Sequence, residues 1–129
     1  MKVLIVDDSA TIRMMLKGIL KQINVTDVIE ASDGAQALDV LVKETVNLLL
    51  LDIHMPKMDG LECLERVKGN ERTANLPVII ISSDTVQSQL DRARDLGAHA
   101  YIKKPFRVEG LREALAACLP DWQKHSSKL

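Results

Sequence analysis

Residues 48–52 read Leu48-Leu49-Leu50-Leu51-Asp52, and residues 78–82 read Val78-Ile79-Ile80-Ile81-Ser82. Each is an unbroken aliphatic run of strand length that stops at a polar residue. A strand with one wet face alternates apolar and polar side chains. A run that is apolar throughout is covered on both faces, as in a parallel sheet. Working outward from these two runs, strands are expected at residues 3–6, 27–31, 48–51, 78–81 and 100–102. Between them the apolar residues change period. Ile12, Met15, Leu16, Ile19, Leu20 and Ile23 recur at steps of three and four, the stripe of an amphipathic helix. Leu38, Leu41 and Val42 mark a second helix, and Leu61, Leu64 and Val67 a third. Leu90 and Ala93 mark a thinner, more exposed fourth. Val108, Leu111, Leu115 and Cys118 mark a fifth.

Helix boundaries agree with this division. Asp33 with Gln36, and Asp59 with Glu62, have the spacing of capping boxes, with Asp in place of Ser or Thr. Gly97 is placed to stop the fourth helix and Pro120 to close the fifth. The order is (βα)5, with no internal linker or repeat. It predicts an α/β fold: a doubly wound, parallel five-stranded sheet with helices on both faces. Residues 1–119 form the expected domain, and residues 120–129 a polar tail.

Composition removes several functions. The 129 residues include three aromatics, Tyr101, Phe106 and Trp122. That is too few to stack single-stranded nucleic acid. Seventeen basic residues against 18 acidic ones leave a formal charge of -1, which offers no field for a DNA backbone. No apolar run approaches the ~20 residues of a membrane span. The apolar stretch after Met1-Lys2 is too short for a signal peptide. Cys63 and Cys118 have no CxxC spacing and read as reduced helix residues of a cytoplasmic protein.

In a doubly wound sheet, ligands bind beyond the carboxyl ends of the strands. There the sequence delivers Asp7 and Asp8 after the first strand, and Asp52 followed by Ile53-His54-Met55-Pro56 after the third. Ser82 and Ser83 follow the fourth strand, and Lys103-Lys104-Pro105-Phe106 the fifth. Three carboxylates on one edge repel and raise one another's pKa values, and a divalent cation relieves this most simply. A small set of oxygen ligands suits Mg²⁺. A cation, the Lys104 ammonium and the Ser82 hydroxyl around one carboxylate would stabilise a phosphoryl group on it. Asp52, on the strand expected at mid-sheet, is the candidate nucleophile.

Plainer readings exist for each residue. Asp7-Asp8 alone would more often be a turn or a cap; Asp52 and Lys104 reverse that prior. His54 has no second histidine at ligand spacing and reads as a solvent-facing neighbour. His99 and His125 read as surface residues. Met14, Met15, Met55 and Met58 read as core or gap-filling. Asp91, Arg92, Arg94 and Asp95 read as a solvated helix face, and Lys103 as surface charge.

The set Val6-Asp7-Asp8-Ser9, Leu51-Asp52-Ile53-His54-Met55-Pro56, Asp59-Gly60, Pro77 through Ser82, Gly97-Ala98 and Lys104-Pro105-Phe106 resembles the receiver domain of two-component response regulators. The steps from Asp8 to Asp52, Ser82 and Lys104 are 44, 30 and 22 residues, as in that family. The resemblance implies a flavodoxin-like strand order 2-1-3-4-5 and phosphorylation of Asp52 by a histidine kinase or a small phosphodonor. It implies that Asp8, Asp52 and the His54 backbone carbonyl bind Mg²⁺, and that Asp7 reaches the ion through a water. It further implies that Lys104 and Ser82 hold phosphoryl oxygens, and that Tyr101 is an aromatic switch acting on the surface of the fourth helix, fifth strand and fifth helix. Ser82 stands where Thr is commoner, and Ser83 where Ala is frequent. His54 and Asp84 occupy positions that tune phosphorylation and dephosphorylation rates.

Asp8-Ser9-Ala10-Thr11-Ile12-Arg13 is similar to the first-helix opening of stand-alone chemotaxis-type regulators. That implies a signalling module, monomeric when unphosphorylated, which catalyses only its own phosphorylation and dephosphorylation. Its partners would be a histidine kinase, a flagellar motor switch protein and a phosphatase. A phosphorelay receiver serving a histidine phosphotransfer domain, or an excised N-terminal receiver, is the alternative. An aspartyl-phosphate phosphohydrolase is a distant third: His54 stands where such an enzyme needs an acid, and 129 residues would leave no room for a cap domain. A flavodoxin-type FMN carrier fails because Asp7-Asp8 would repel the phosphate.

Overall fold

The computed structural model describes residues 1–55, 58–83 and 87–119. Pro56, Asp84, Pro120, Trp122, His125 and the tail at 120–129, for which the sequence raises expectations, lie outside the described residues. Five strands, β1 (Lys2–Val6), β2 (Asp27–Ala31), β3 (Leu48–Asp52), β4 (Val78–Ser82) and β5 (Ala100–Lys103), alternate with five helices. These are α1 (Ala10–Gln22), α2 (Gly34–Lys43), α3 (Gly60–Lys68), α4 (Gln87–Asp95) and α5 (Val108–Cys118). The sheet is parallel throughout, in the order β2-β1-β3-β4-β5. The expected architecture and order are both present.

The continuous apolar runs serve two cores. Leu49, Leu51 and Ile80 face α2, α3 and α4 and pack with Leu41, Leu64 and Val67. Leu48, Leu50, Ile79 and Ile81 face α1 and α5 and pack with Leu16, Leu20, Leu111 and Leu115. The period-two alternation of side chains thus divides each run between the two sheet faces. Each fully buried Leu or Ile contributes roughly 1.5–3 kcal/mol.

Three apolar expectations fail at the helix surfaces. Met14 is 72% exposed, Met15 49% and Val42 63%. Each residue advances an α-helix by about 100°. Met14 therefore lies opposite the Leu16–Leu20 stripe, Met15 at its edge, and Val42 one step past buried Leu41. Met55 is buried and Met58 half-buried, as expected of gap-fillers. The strands also run one residue further than the apolar runs. Asp52 pairs with Ile81, and Ser82 with Lys103, because the backbone ladder continues whatever the side chain.

The caps form, but not as complete boxes. Asp33 and Asp59 accept from the backbone N–H groups of Gln36 and Glu62 at 2.8 and 2.9 Å. Gln36 reaches back to the N–H of Ser32 rather than Asp33, and Glu62 pairs with Arg66. Gly97, at φ 109°, closes α4 in a Schellman motif: Ala98 N–H donates to Ala93 and Gly97 N–H to Arg94. No helix among the described residues is long and apolar enough to cross a membrane.

Gly60, the first residue of α3, docks that helix against the end of β3. Its N–H donates to the Ile53 carbonyl at 2.7 Å. A Cβ here would stand 2.6 Å from the Ile53 Cα and closer still to the Asp52 carbonyl oxygen. Gly60→Ala is therefore expected to destabilise by about 2–3 kcal/mol, lowering the thermal midpoint by roughly 10 °C. Gly18→Ala, in exposed α1 where nothing lies within 4 Å, is expected to stabilise by about 0.5–1 kcal/mol. Thermal unfolding followed by circular dichroism checks both.

Candidate functional site

The carboxyl edge of the sheet brings together four strand ends. β1 delivers Asp7 and Asp8, β3 ends on Asp52, β4 ends on Ser82, and Lys104 follows β5. Asp7, Asp52 and Ser82 are buried, at 1%, 5% and 0% exposure. Asp8 is exposed and, among the described residues, carries no hydrogen bond or ion pair. One carboxylate oxygen from each of Asp7, Asp8 and Asp52 lies within 4.8 Å of the others.

Lys104 offsets this concentration of charge. Its Nζ is 2.9 Å from Asp7 Oδ2 and 3.6 Å from Asp52 Oδ2. Asp7 Oδ1 accepts from the Ser9 N–H at 2.9 Å, so both Asp7 oxygens have protein partners. The His54 N–H approaches Asp52 Oδ1 at 3.4 Å, while the His54 ring is exposed. Burial raises the Asp52 carboxyl above its ordinary value, and the Asp7 charge adds to this; Lys104 pulls the other way. An acidic set of oxygen donors, with one exposed and unpaired carboxylate, fits a hard divalent cation that retains waters.

The Ser82 carbonyl links the site to β5. It accepts from the Lys104 backbone N–H at 2.9 Å and from the Tyr101 hydroxyl at 3.1 Å. The half-buried Tyr101 ring lines a groove of about 230 Å³ between α4 and β5, with Leu90, Ala93 and Ala98. The remaining candidates are elsewhere. His99 is exposed at the opposite edge, yet its Nδ1 accepts from the Val78 N–H at 3.2 Å. Burial, then the nearby Lys68, holds it below the ordinary histidine value. The Cys63 thiol is fully buried and pushed up to about 12 by burial, so it is protonated and inert at neutral pH. Cys118 is half-buried and free, and burial pushes it up too.

The response regulator receiver domain model matches residues 3–116, nearly all of the chain. The chain belongs to the response regulator receiver family. It is similar to the chemotaxis protein CheY of Pseudomonas aeruginosa, at 36% identity over 115 residues, 89% of this chain and 93% of that one. It is also similar to a CheY homolog of Campylobacter jejuni, at 37% identity over 116 residues and 89% of each chain. Among solved structures, the chemotaxis protein CheY4 of Vibrio cholerae superposes with a TM-score of 0.85 at 30% identity, covering 92% of this receiver and 98% of that chain. The strand order inferred from the family resemblance is thus that of the receiver itself.

Arg13 closes the first-helix motif quoted above, but its contacts at this edge, and Glu30, are not given by that motif. Arg13 donates to the Asp7 backbone carbonyl at 2.7 Å and pairs with Glu30 at 3.0 Å. The one signal for the pair is Glu30, which interrupts β2 where an aliphatic would continue the run.

Because folding raises the Asp52 carboxyl, its ionised form costs stability. That cost is absent below the unfolded value near 3.8 and fully present above the folded value. Asp52→Asn is therefore expected to raise the thermal midpoint by a few degrees at pH 7 in EDTA, roughly 1 kcal/mol, with the gain fading as pH falls toward 4. Thermal scans from pH 4 to 8 test this.

Proposed function

We propose that the chain is a phosphorylation-controlled signalling switch whose phosphoacceptor is Asp52. The observation that carries the reading is the Lys104 ammonium set against Asp7 and Asp52 within a trio of carboxylates. An Asp52 oxygen attacks phosphorus in the phosphohistidine of a histidine kinase, or in a small phosphodonor. The O–P bond forms as the P–N or anhydride P–O bond breaks, and the donor leaves with the electron pair. Lys104 stabilises one phosphoryl oxygen by its charge, and the Ser82 hydroxyl donates to another. Water later cleaves the acyl phosphate, releasing inorganic phosphate and restoring the carboxylate. The chain thus acts on its own modification rather than turning over an external substrate.

The cation is proposed to be Mg²⁺, held by Asp8, Asp52 and the His54 backbone carbonyl, with Asp7 reaching it through a water. It would supply compensating charge for the carboxylates and the incoming phosphoryl oxygens. Tyr101 is proposed as the switch residue. Drawing Ser82 toward a phosphoryl group would disturb its carbonyl, the acceptor of the Tyr101 hydroxyl, and so shift the balance of conformations of the α4–β5–α5 surface. The names of the relatives favour a chemotaxis role, in the cytoplasm. The proposed input is a histidine kinase and the proposed output a flagellar motor switch protein, with a histidine phosphotransfer domain as the alternative.

Incubation with acetyl phosphate and Mg²⁺ is expected to add the mass of one phosphoryl group. EDTA or Asp52→Asn should abolish the adduct. A modification that survives in Asp52→Asn overturns the assignment. Beryllofluoride with Mg²⁺ is expected to tighten binding to a motor switch fragment by roughly tenfold, read by titration calorimetry; no change would remove the chemotaxis output.

A further inference from the structure

Arg13 is the fourth residue of α1, and its side chain is largely buried, at 17% exposure. The guanidinium spans two groups. Nη1 donates to the Asp7 backbone carbonyl at 2.7 Å, and Nε donates to Glu30 Oε1 at 3.0 Å. Lys17, one turn further along α1, takes Glu30 Oε2 at 3.3 Å. Burial works to raise the Glu30 carboxyl, but the bonds from Arg13 and Lys17 outweigh it and hold the group below its ordinary value. Glu30 is thus an anionic seat that fixes where the guanidinium points.

The Asp7 carbonyl belongs to the peptide unit between Asp7 and Asp8. On its N-terminal side the chain is still tied to the sheet, through the Asp7 N–H to the Ala31 carbonyl at 3.2 Å. The Asp7 carboxylate is tied twice, to Ser9 and Lys104. Asp8 has no such ties among the described residues. The peptide that precedes Asp8 sets where its side chain starts from, and Arg13 bonds the carbonyl of that peptide.

We infer that Arg13, seated by Glu30, is a positioning residue for the divalent-cation site: it fixes the Asp7–Asp8 peptide so that the Asp8 carboxylate stands beside Asp52. The inference rests on the cation site proposed above. Arg13 offers no acceptor atom to ligate a cation, and its charge acts against cation binding. Geometry and charge therefore predict opposite outcomes for its removal.

The test is calorimetric titration of the full chain with Mg²⁺ at pH 7, with thermal midpoints measured in EDTA. Arg13→Met removes charge and anchor; Arg13→Lys keeps the charge and loses the forked pair of donors; Glu30→Gln removes the seat. Positioning predicts roughly tenfold weaker Mg²⁺ binding in Arg13→Met, a loss only partly rescued in Arg13→Lys, and weaker binding in Glu30→Gln, which charge loss alone also predicts. Binding by Arg13→Met that equals or exceeds wild type overturns the inference, since charge alone would then govern. A lower midpoint with unchanged Mg²⁺ affinity also overturns it, leaving a structural role. If Arg13→Met does not fold, Arg13→Lys decides by the same affinities, since it keeps the charge that Glu30→Gln alters. Failure of the wild-type chain to bind Mg²⁺ would instead remove the cation site itself.

Discussion

Like-charge repulsion at one edge of the sheet is the constraint around which the rest is arranged. Two buried carboxylates, Asp7 just after β1 and Asp52 at the end of neighbouring β3, lie together, and Asp8 stands beside them. At an effective dielectric of ~20, two unit charges about 4.8 Å apart repel by roughly 3 kcal/mol. Lys104 offsets part of this for Asp7 and Asp52 and leaves Asp8 uncompensated. The aliphatic sheet holds the arrangement in place. β1, β3 and β4 are buried nearly throughout, so their carboxyl ends cannot separate to relieve the strain. The edge is thereby suited to bind a cation and to accept an anionic group that brings further ligands.

Most of the fold is legible from the unbroken runs at Leu48–Asp52 and Val78–Ser82. Residues that are apolar at every position have one physical explanation at this length, burial on both faces. The steps between Asp8, Asp52, Ser82 and Lys104 then follow from the lengths of the βα units. What the pattern leaves unread lies where one residue's environment depends on a distant element. Met14, Met15 and Val42 are apolar, yet no second helix among the described residues covers them, and their exposure is invisible to local periodicity. Gln36 and Glu62 have capping-box spacing, but each finds another partner in three dimensions.

The same reason accounts for Arg13. On α1 it belongs to the first-helix motif, but that motif does not say what its side chain touches. Its partners come from the end of β1 and from β2, 6 residues back and 17 residues ahead. A donor aimed at a backbone carbonyl leaves no signature in residue type, since every residue has that carbonyl. Gly60 is legible only in part for a similar reason. Its place after Asp59 marks a helix start, but the Asp52 backbone against its Cα has no counterpart in the local sequence.

The open edges of the sheet carry a further consequence. An all-parallel sheet leaves two strands with unpaired backbone, here β2 and β5. Strands as aliphatic as β3 and β4 would template the addition of a foreign strand if they lay there. They lie inside, and the borders go to the two most polar strands. β2 shows exposed Asp27 and Glu30, and β5 is only four residues long and ends on exposed Lys103. Charge and brevity at the borders oppose edge-to-edge aggregation, so the order of strands protects the chain as well as placing its acidic edge.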